Sequence, residues 1–395
     1  MCDAKKLKIL QVHNYYQIPG GEDTVVANEK KLLEDHGHTV IQYSRNNSEL
    51  KRFSKLKKLL LPFTTIFNPK TYREVKQIIQ EQQINVVHVH NTLNLISPAV
   101  YYAALSCKVP VVQTIHNFRL LCPGATFYRD GRICEDCVQK GLRCAVKHGC
   151  YRGSKAQTLI CAVSTWIHRM TRVYGKLNYI CLTEFNKEKL LNLRQIKPNK
   201  VFVKPNFVST KLNEIVPIQE RENRFIFAGR IDKLKGVDIL LEAWKLMGEK
   251  APKLLICGTG PMEAWCRDYI QKNNLVNVNM LGFVPNEEAK KLIANSRALI
   301  LPTQWYEGFP MTIVEAYSVG TPVVGSDFGN VGSVIVDGVT GMKCNTQIAS
   351  ELARSLSKYI VDDRDMVWST KKEYEEKYAQ TENYQRLIKI YNESR

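Results

Sequence analysis

Two glutamates eight residues apart, Glu307 and Glu315, bracket the tripeptide Gly308-Phe309-Pro310 in the second half of this 395-residue chain. A carboxylate can accept two hydrogen bonds from neighbouring hydroxyls of the kind that a ribose or a hexose presents. Upstream stand Arg230, after Gly229, and Lys235, before Gly236. These two cations could neutralise a diphosphate whose negative charge grows as it leaves. Gly258 and Gly260, in Gly258-Thr259-Gly260-Pro261, allow backbone to approach a base or phosphate closely. Pro310 suits the first turn of a helix, whose amides and dipole favour an anion at its tip. Singly these signals are weak, since a Gly-x-Gly is usually a tight turn and a cation at a helix start is usually solvated. Their shared position gives them weight.

That position follows from a device repeated four times between Phe225 and Asp327: a short apolar strand, a loop marked by glycine or proline, then a helix. The expected strands are 225–228, 253–257, 279–283 and 298–301, with a further buried strand over 322–325. Expected helices cover about 237–248 and 286–295, and a third runs from Pro310 to near Gly320. Continuous apolar runs alternating with helical patterns indicate a parallel sheet covered on both faces. In such a sheet ligands sit at the carboxyl ends of the strands, where all of these polar residues fall.

Gly229-Arg230, Lys235-Gly236, Gly258-x-Gly260-Pro261 and Glu307-Gly308-Phe309-Pro310 through Glu315-Ala316 together resemble the retaining glycosyltransferases of family 4. The resemblance covers nearly the whole chain. It implies two Rossmann-like domains facing a cleft, the GT-B architecture, with the last helix crossing back onto the first domain. It also implies that Arg230 and Lys235 hold the donor diphosphate, Glu315 the ribose and Glu307 the transferred sugar, with Gly308, Phe309 and Pro310 shaping that site. The donor would be a nucleotide-diphosphate sugar, and the acceptor lipid-linked or a polysaccharide. The expected boundaries are 1–205 for the acceptor-side domain, 206–370 for the donor domain and 371–395 for the returning helix. The one Asp-x-Asp triplet, Asp363-Arg364-Asp365, lies in a polar tail, so no catalytic metal is expected. Two rivals are a nucleotide-sugar 2-epimerase of the same architecture and a non-catalytic protein that binds anionic polymer.

Charge divides the chain. Residues 1–210 hold 32 Lys and Arg against 14 Asp and Glu, whereas residues 211–395 hold 24 against 24. The excess argues for an anionic partner of the first half. It is densest at Lys51, Arg52, Lys55, Lys57 and Lys58. On a helix, Phe53, Leu56 and Leu60 form one stripe with Lys51, Lys55 and Lys58 off it, as in a helix lying on an anionic leaflet. The competing reading is an ordinary surface helix with its leucines on the sheet. No helix-turn-helix, zinc-finger or RNA-binding signature accompanies the charge, so nucleic acid is not expected. No apolar run approaches the roughly 18 residues of a membrane span. The start of the chain also lacks the apolar core of a signal peptide. A cytoplasmic protein, peripheral on the inner face of the cell membrane, is therefore expected.

The first half repeats the α/β punctuation, with strands over 7–12, 40–43, 85–89 and 109–115. Gly20 and Gly21 lie between the first strand and the first helix, where the resemblance implies that glycines face the donor. His116 ends the fourth strand in Thr114-Ile115-His116-Asn117. In similar family members a His-Asp stands here and the histidine reaches the donor sugar. Asn117 replaces that aspartate, which puts any role for a carboxylate in doubt. His88 and His90 are read as structural. An insert at about 118–153 crowds five cysteines. Cys134-x-x-Cys137 has metal-knuckle spacing, and Cys122 and Cys150 could complete a structural zinc site, with Cys144 or His148 as substitutes. Free thiols are the alternative. Ile160, Val163, Ile167, Met170 and Tyr174 are spaced as the packed face of a helix over 155–175, and residues 198–208 read as a hinge.

Overall fold

The computed structural model describes residues 6–17, 20–208, 215–361 and 365–395. Asp363 and Arg364 of the Asp-x-Asp triplet lie outside the described residues. The chain divides into two compact units, one of Met1–Arg129, Cys134–Pro205 and Asn383–Arg395, the other of Asp130–Ile133 and Asn206–Glu382.

Unit 1 contains a six-stranded sheet of β1 (Lys8–Tyr15), β2 (Thr39–Asn46), β3 (Val86–Asn91), β4 (Val111–Ile115), β5 (Asn178–Cys181) and β6 (Val201–Val203). The order is β2-β1-β3-β4-β5-β6 and every pairing is parallel. The strand order reverses between β1 and β3, which is where such sheets bind ligands. Its helices include α1 (Gly21–Asp35), α2 (Lys55–Ile66) and α3 (Lys155–Met170). Strand β6 falls inside the segment expected to be a hinge.

Unit 2 contains β7 (Glu222–Ala228), β8 (Lys253–Cys257), β9 (Val278–Gly282), β10 (Ser296–Leu301), β11 (Val323–Ser326) and β12 (Gly341–Cys344), all parallel, in the order β9-β8-β7-β10-β11-β12. Here the reversal lies between β7 and β10. Alternation along the strands fills two cores. Phe225 and Phe227 pack with Leu240 and Trp244 of α4 (Val237–Met247). Ile226 and Ala228 pack with Val314 and Tyr317 of α5 (Met311–Ser318). Burying each large side chain contributes about 1.5–3 kcal/mol, which fixes the strands and so the loops at their ends.

The final helix, α6 (Gln380–Glu393), places Leu387, Ile390 and Tyr391 in the core of unit 1 beside Leu7, Ile9 and Ile180. Asn383 Nδ2 donates to the Pro205 carbonyl at 2.6 Å.

One segment departs from the periodicity. Phe53 is not on the basic helix: it ends a short 3-10 turn, Asn47–Arg52, and α2 begins only after Ser54, whose hydroxyl caps it. The apolar stripe of α2 is instead Leu56, Leu59, Leu60 and Phe63, all exposed.

Candidate functional site

The reversal point of unit 2 joins two loops. One leaves β7 through Gly229-Arg230-Ile231-Asp232 and enters α4, and the other leaves β10 and enters α5. They meet at an ion pair. Lys235 Nζ donates to both carboxylate oxygens of Glu307, at 2.8 and 2.9 Å. Thr303 Oγ1 donates to Glu307 Oε1 at 2.9 Å. Glu307 adopts the left-handed conformation, φ +50°, which is uncommon for a residue with a side chain. Asn330 Nδ2 holds it there by donating to the carbonyls of Glu307 and Gly308, each at 2.8 Å. The loops touch so closely that a Cβ on Gly236, at φ +71°, would lie 1.9 Å from the Pro302 carbonyl oxygen. Only glycine fits.

Asp232 organises both cations. Its carboxylate is bonded by Arg230 and also accepts the backbone N–H of Lys235 at 3.0 Å. Arg230 keeps 66% of its side chain exposed, against 22% for Lys235 and 5% for Glu307. Glu315, in α5, accepts from Asn286 Nδ2 at 2.7 Å. Burial raises the pKa of its carboxyl, with the Asn286 bond acting the other way. Pro310 stands at the N-cap of α5, where no side chain caps the helix, and Phe309 packs against the core beneath.

The glycines divide into two kinds. A Cβ on Gly258 would sit 1.9 Å from the Gly229 carbonyl oxygen, and one on Gly260 would sit 2.3 Å from that of Ile231. Their smallness is therefore required by the neighbouring loop, whereas the spacing alone suggested approach by a ligand. Gly20 and Gly21 have nothing within 4 Å of an added Cβ. Beside them, Asp23 accepts from the Gly20 N–H at 3.0 Å and from the buried His13 ring at 2.7 Å, so the first turn of α1 already carries its own anion.

In unit 1 the reversal point gathers histidines. His116 Nε2 and His90 Nδ1 lie 3.0 Å apart, with one of them donating. His88 bonds Tyr391 Oη through Nδ1 at 2.8 Å and Thr114 Oγ1 through Nε2 at 2.7 Å. Behind them, Lys204 Nζ donates to Glu29 Oε1 at 2.6 Å and to Asn383 Oδ1 at 2.9 Å. Burial lowers the pKa of His116 to about 3 and that of His88 to about 4, so both rings are neutral near pH 7. His116 lines a cavity of about 80 Å³ with His90, Asn117, Arg119, Gln113 and Ser164. Glu22, at the first turn of α1, is raised to about 8 by burial and then by Asp23.

Two arrangements in unit 1 could be taken for metal sites. Among the described residues, Glu29, His88 and His90 are the one group of three or more ligand atoms within 4.8 Å of one another. Both ring nitrogens of His88 are already hydrogen-bonded and Lys204 neutralises Glu29, so this set does not suit a cation. The cysteine insert is the second. Cys122 and Cys137 are hydrogen-bonded to each other, Cys134 Sγ is 3.6 Å from Asp136 Oδ2 and Cys150 packs against Gly124. Cys150 interacts electrostatically with Cys122 and Cys134 and Cys137 with Cys150, so the four thiols named from the sequence are neighbours; a tetrahedral thiolate site needs its sulfurs gathered about one point.

The chain matches models of two families, Glycosyltransferase Family 4 over residues 19–212 and Glycosyl transferases group 1 over residues 208–381. The chain belongs to glycosyltransferase family 4. Among similar proteins, a 41.2 kDa protein of the cps region of Klebsiella pneumoniae is 23% identical over 92% of each chain. The fold is shared with a glycosyltransferase of Rickettsia africae (TM-score 0.72, 17% identity, 99% of each chain). It is shared too with Anabaena HepE, solved with UDP (TM-score 0.67, 16% identity, 97% of this chain and 99% of that one). These are two-domain GT-B structures, and each unit described above is one Rossmann-like half of that fold. The candidate site of unit 2 also brings in residues that carry no part of the motifs above: Asp232, Thr303, Asn286 and Asn330. Thr303 and Asp232 were within reach, since each lies in a strand-end loop already singled out. Asn286 and Asn330 approach from other elements and carry no local mark.

Proposed function

We propose that this glycosyltransferase moves a sugar, with retention, from a nucleotide-diphosphate sugar to a lipid-linked or polysaccharide acceptor at an anionic membrane surface on the cytoplasmic side. The observation that carries the donor reading is the Lys235–Glu307–Thr303 cluster at the reversal point of unit 2, with Arg230 and Glu315 at neighbouring strand ends. Lys235 and the exposed Arg230 compensate the charge that develops on the departing diphosphate, aided by the amides at the tip of α5. Glu315 accepts from the ribose hydroxyls. Glu307, fixed by Thr303 and by its backbone clamp, accepts from hydroxyls of the transferred sugar. His116, neutral, acts as a hydrogen-bonding group and not as a cation.

In this reading the bond from the anomeric carbon to the diphosphate oxygen breaks as the bond to the acceptor oxygen forms on the same face. The acceptor proton passes to the diphosphate oxygen. No residue at the site is assigned the role of a covalent nucleophile, and the cations take the part that a divalent ion plays elsewhere. The UDP bound by HepE and the cps location of the Klebsiella relative support a nucleotide sugar and a surface polysaccharide.

The test is a thermal-shift panel of nucleoside diphosphates, followed by release of diphosphate from the corresponding sugar donors with and without EDTA. A rise in melting temperature with one diphosphate and turnover that persists in EDTA are expected. Turnover abolished by EDTA and restored by manganese would remove the metal-free mechanism. Inverted anomeric configuration in the product would remove retention.

A further inference from the structure

Of the residues spaced as the packed face of helix α3, Ile160, Val163 and Ile167 are half-buried, Tyr174 beyond its end is buried and Met170 is exposed. The buried face of α3 is made of small and polar residues, Thr158, Cys161, Ala162, Ser164, Thr165 and His168. Leu159, Trp166 and Met170 are instead 50%, 57% and 65% exposed. They recur at intervals of seven and four residues, so they form one stripe along the helix. Helix α2 packs against α3, and the two are joined where His168 Nε2 meets the Ile66 carbonyl oxygen at 2.9 Å. Residues 56–67 and α3 together hold eight of the seventeen large hydrophobic side chains exposed among the described residues. An exposed apolar concentration of this kind marks a contact surface.

The charge around it identifies the partner. Between Glu49 and Glu74 the chain has seven Lys and Arg and no carboxylate, and between Asp136 and Glu184 it has eight and none. These two windows contain α2 and α3. A second copy of the chain would bring like charges together across such a face, whereas an anionic lipid surface meets both the cations and the apolar stripes. Tryptophan at the edge of a stripe also suits the headgroup boundary.

We propose that α2 and α3 form one membrane-docking face, in which Leu159, Trp166 and Met170 enter the headgroup region of an anionic leaflet alongside Leu56, Leu59, Leu60 and Phe63. This rests on the leaflet reading of α2 and adds a second helix to it.

The experiment measures partition of the full chain onto vesicles of phosphatidylglycerol and phosphatidylcholine, with pure phosphatidylcholine as the comparison. The variants are Leu159→Gln/Trp166→Gln/Met170→Gln and, separately, Leu56→Gln/Leu60→Gln/Phe63→Gln. Each is expected to lower partition onto anionic vesicles about tenfold or more while leaving the melting temperature unchanged, because the side chains are exposed. Brominated lipid should quench the wild type, and Trp166→Phe should lose most of that quenching while still binding. If the α3 variant binds like wild type and the α2 variant does not, the second helix is wrong and the leaflet reading stands. If the wild type ignores both vesicles, the leaflet reading fails as well. If the wild type sediments as a dimer that the α3 variant dissolves, the face is an interface between copies and the proposal is overturned.

Discussion

Each unit holds a lysine and a glutamate in contact at or behind its sheet, and the two pairs differ in kind. In unit 1, Lys204 and Glu29 are 2.6 Å apart with side chains 0% and 1% exposed. In unit 2, Lys235 and Glu307 are 2.8 Å apart with side chains 22% and 5% exposed. The first pair is sealed. Its lysine also bonds Asn383, its carboxylate sits beside histidine rings, and no ligand could displace it without opening the core. The second pair lies in strand-end loops, and its lysine stays partly in contact with solvent. In the donor reading proposed above, that lysine trades a carboxylate for a phosphate oxygen. The same two residue types thus hold one unit together and, in that reading, would give the other its binding chemistry; the difference is access to solvent.

The largest effect that separates them is on stability. Lys204→Met should destabilise unit 1 by about 3–5 kcal/mol, because it leaves the Glu29 charge buried and unpaired. Lys204→Met with Glu29→Gln should recover part of that loss, as read from amide exchange of β1 and β3. A silent Lys204→Met would show that the pair is not structural. Lys235→Ala should act on rate, lowering sugar transfer about 100- to 1000-fold while β1 and β3 exchange as before. Equal turnover would remove the donor assignment.

Acid should sharpen the contrast, since all eight histidines precede residue 206. His88, His90 and His116 have folded pKa values lowered below the ordinary 6.5 by burial. The unfolded chain therefore takes up protons first, and their contribution is intact above pH 6.5 and lost as pH falls toward the folded values. At pH 5 His88 and His116 each cost about 2 kcal/mol, and His90 acts in the same direction. Glu22 has the opposite sign, because its raised carboxyl takes up a proton in the folded state as pH falls below about 8, and it offsets roughly one histidine. Unit 1 should consequently lose protection between pH 7 and 5 before unit 2 does, and Glu22→Gln should steepen that loss. Smaller still, Glu315→Gln should weaken diphosphate binding about tenfold by calorimetry, the scale of a hydrogen bond to a charged group. Smallest of all, Gly20→Ala should change stability by no more than about 0.5 kcal/mol. Gly258→Ala should be far worse, since its φ is +136° and a backbone oxygen occupies the space.

What could be read in advance follows the same division. Five of the six strands of unit 2 were legible because each is a mainly apolar run beside a glycine or proline, and Glu307 and Lys235 sit in the loops so marked; β12, Gly-Met-Lys-Cys, is too short and mixed to show. The sealed pair was not legible: Glu29 and Lys204 are 175 positions apart, and neither has a local signal. Four-residue β5 is too short to show a period. Helix α3 misleads for another reason. Its apolar stripe of Ile160, Val163 and Ile167 is only half-buried, because alanine, serine, threonine and cysteine on the adjoining face take the inside while tryptophan faces out. The cysteine spacing marked Cys134 and Cys137 as a knuckle, but it could not show that Cys137 bonds Cys122 across the insert.

Helix α6 also orders events during synthesis. Leu387, Ile390 and Tyr391 belong to the core of unit 1, yet the ribosome makes them after all of unit 2. The amino-terminal half must therefore wait, with part of its apolar surface uncovered, while the second half emerges and folds. A nascent chain stalled before residue 383 should hold a finished second unit and an unfinished first one.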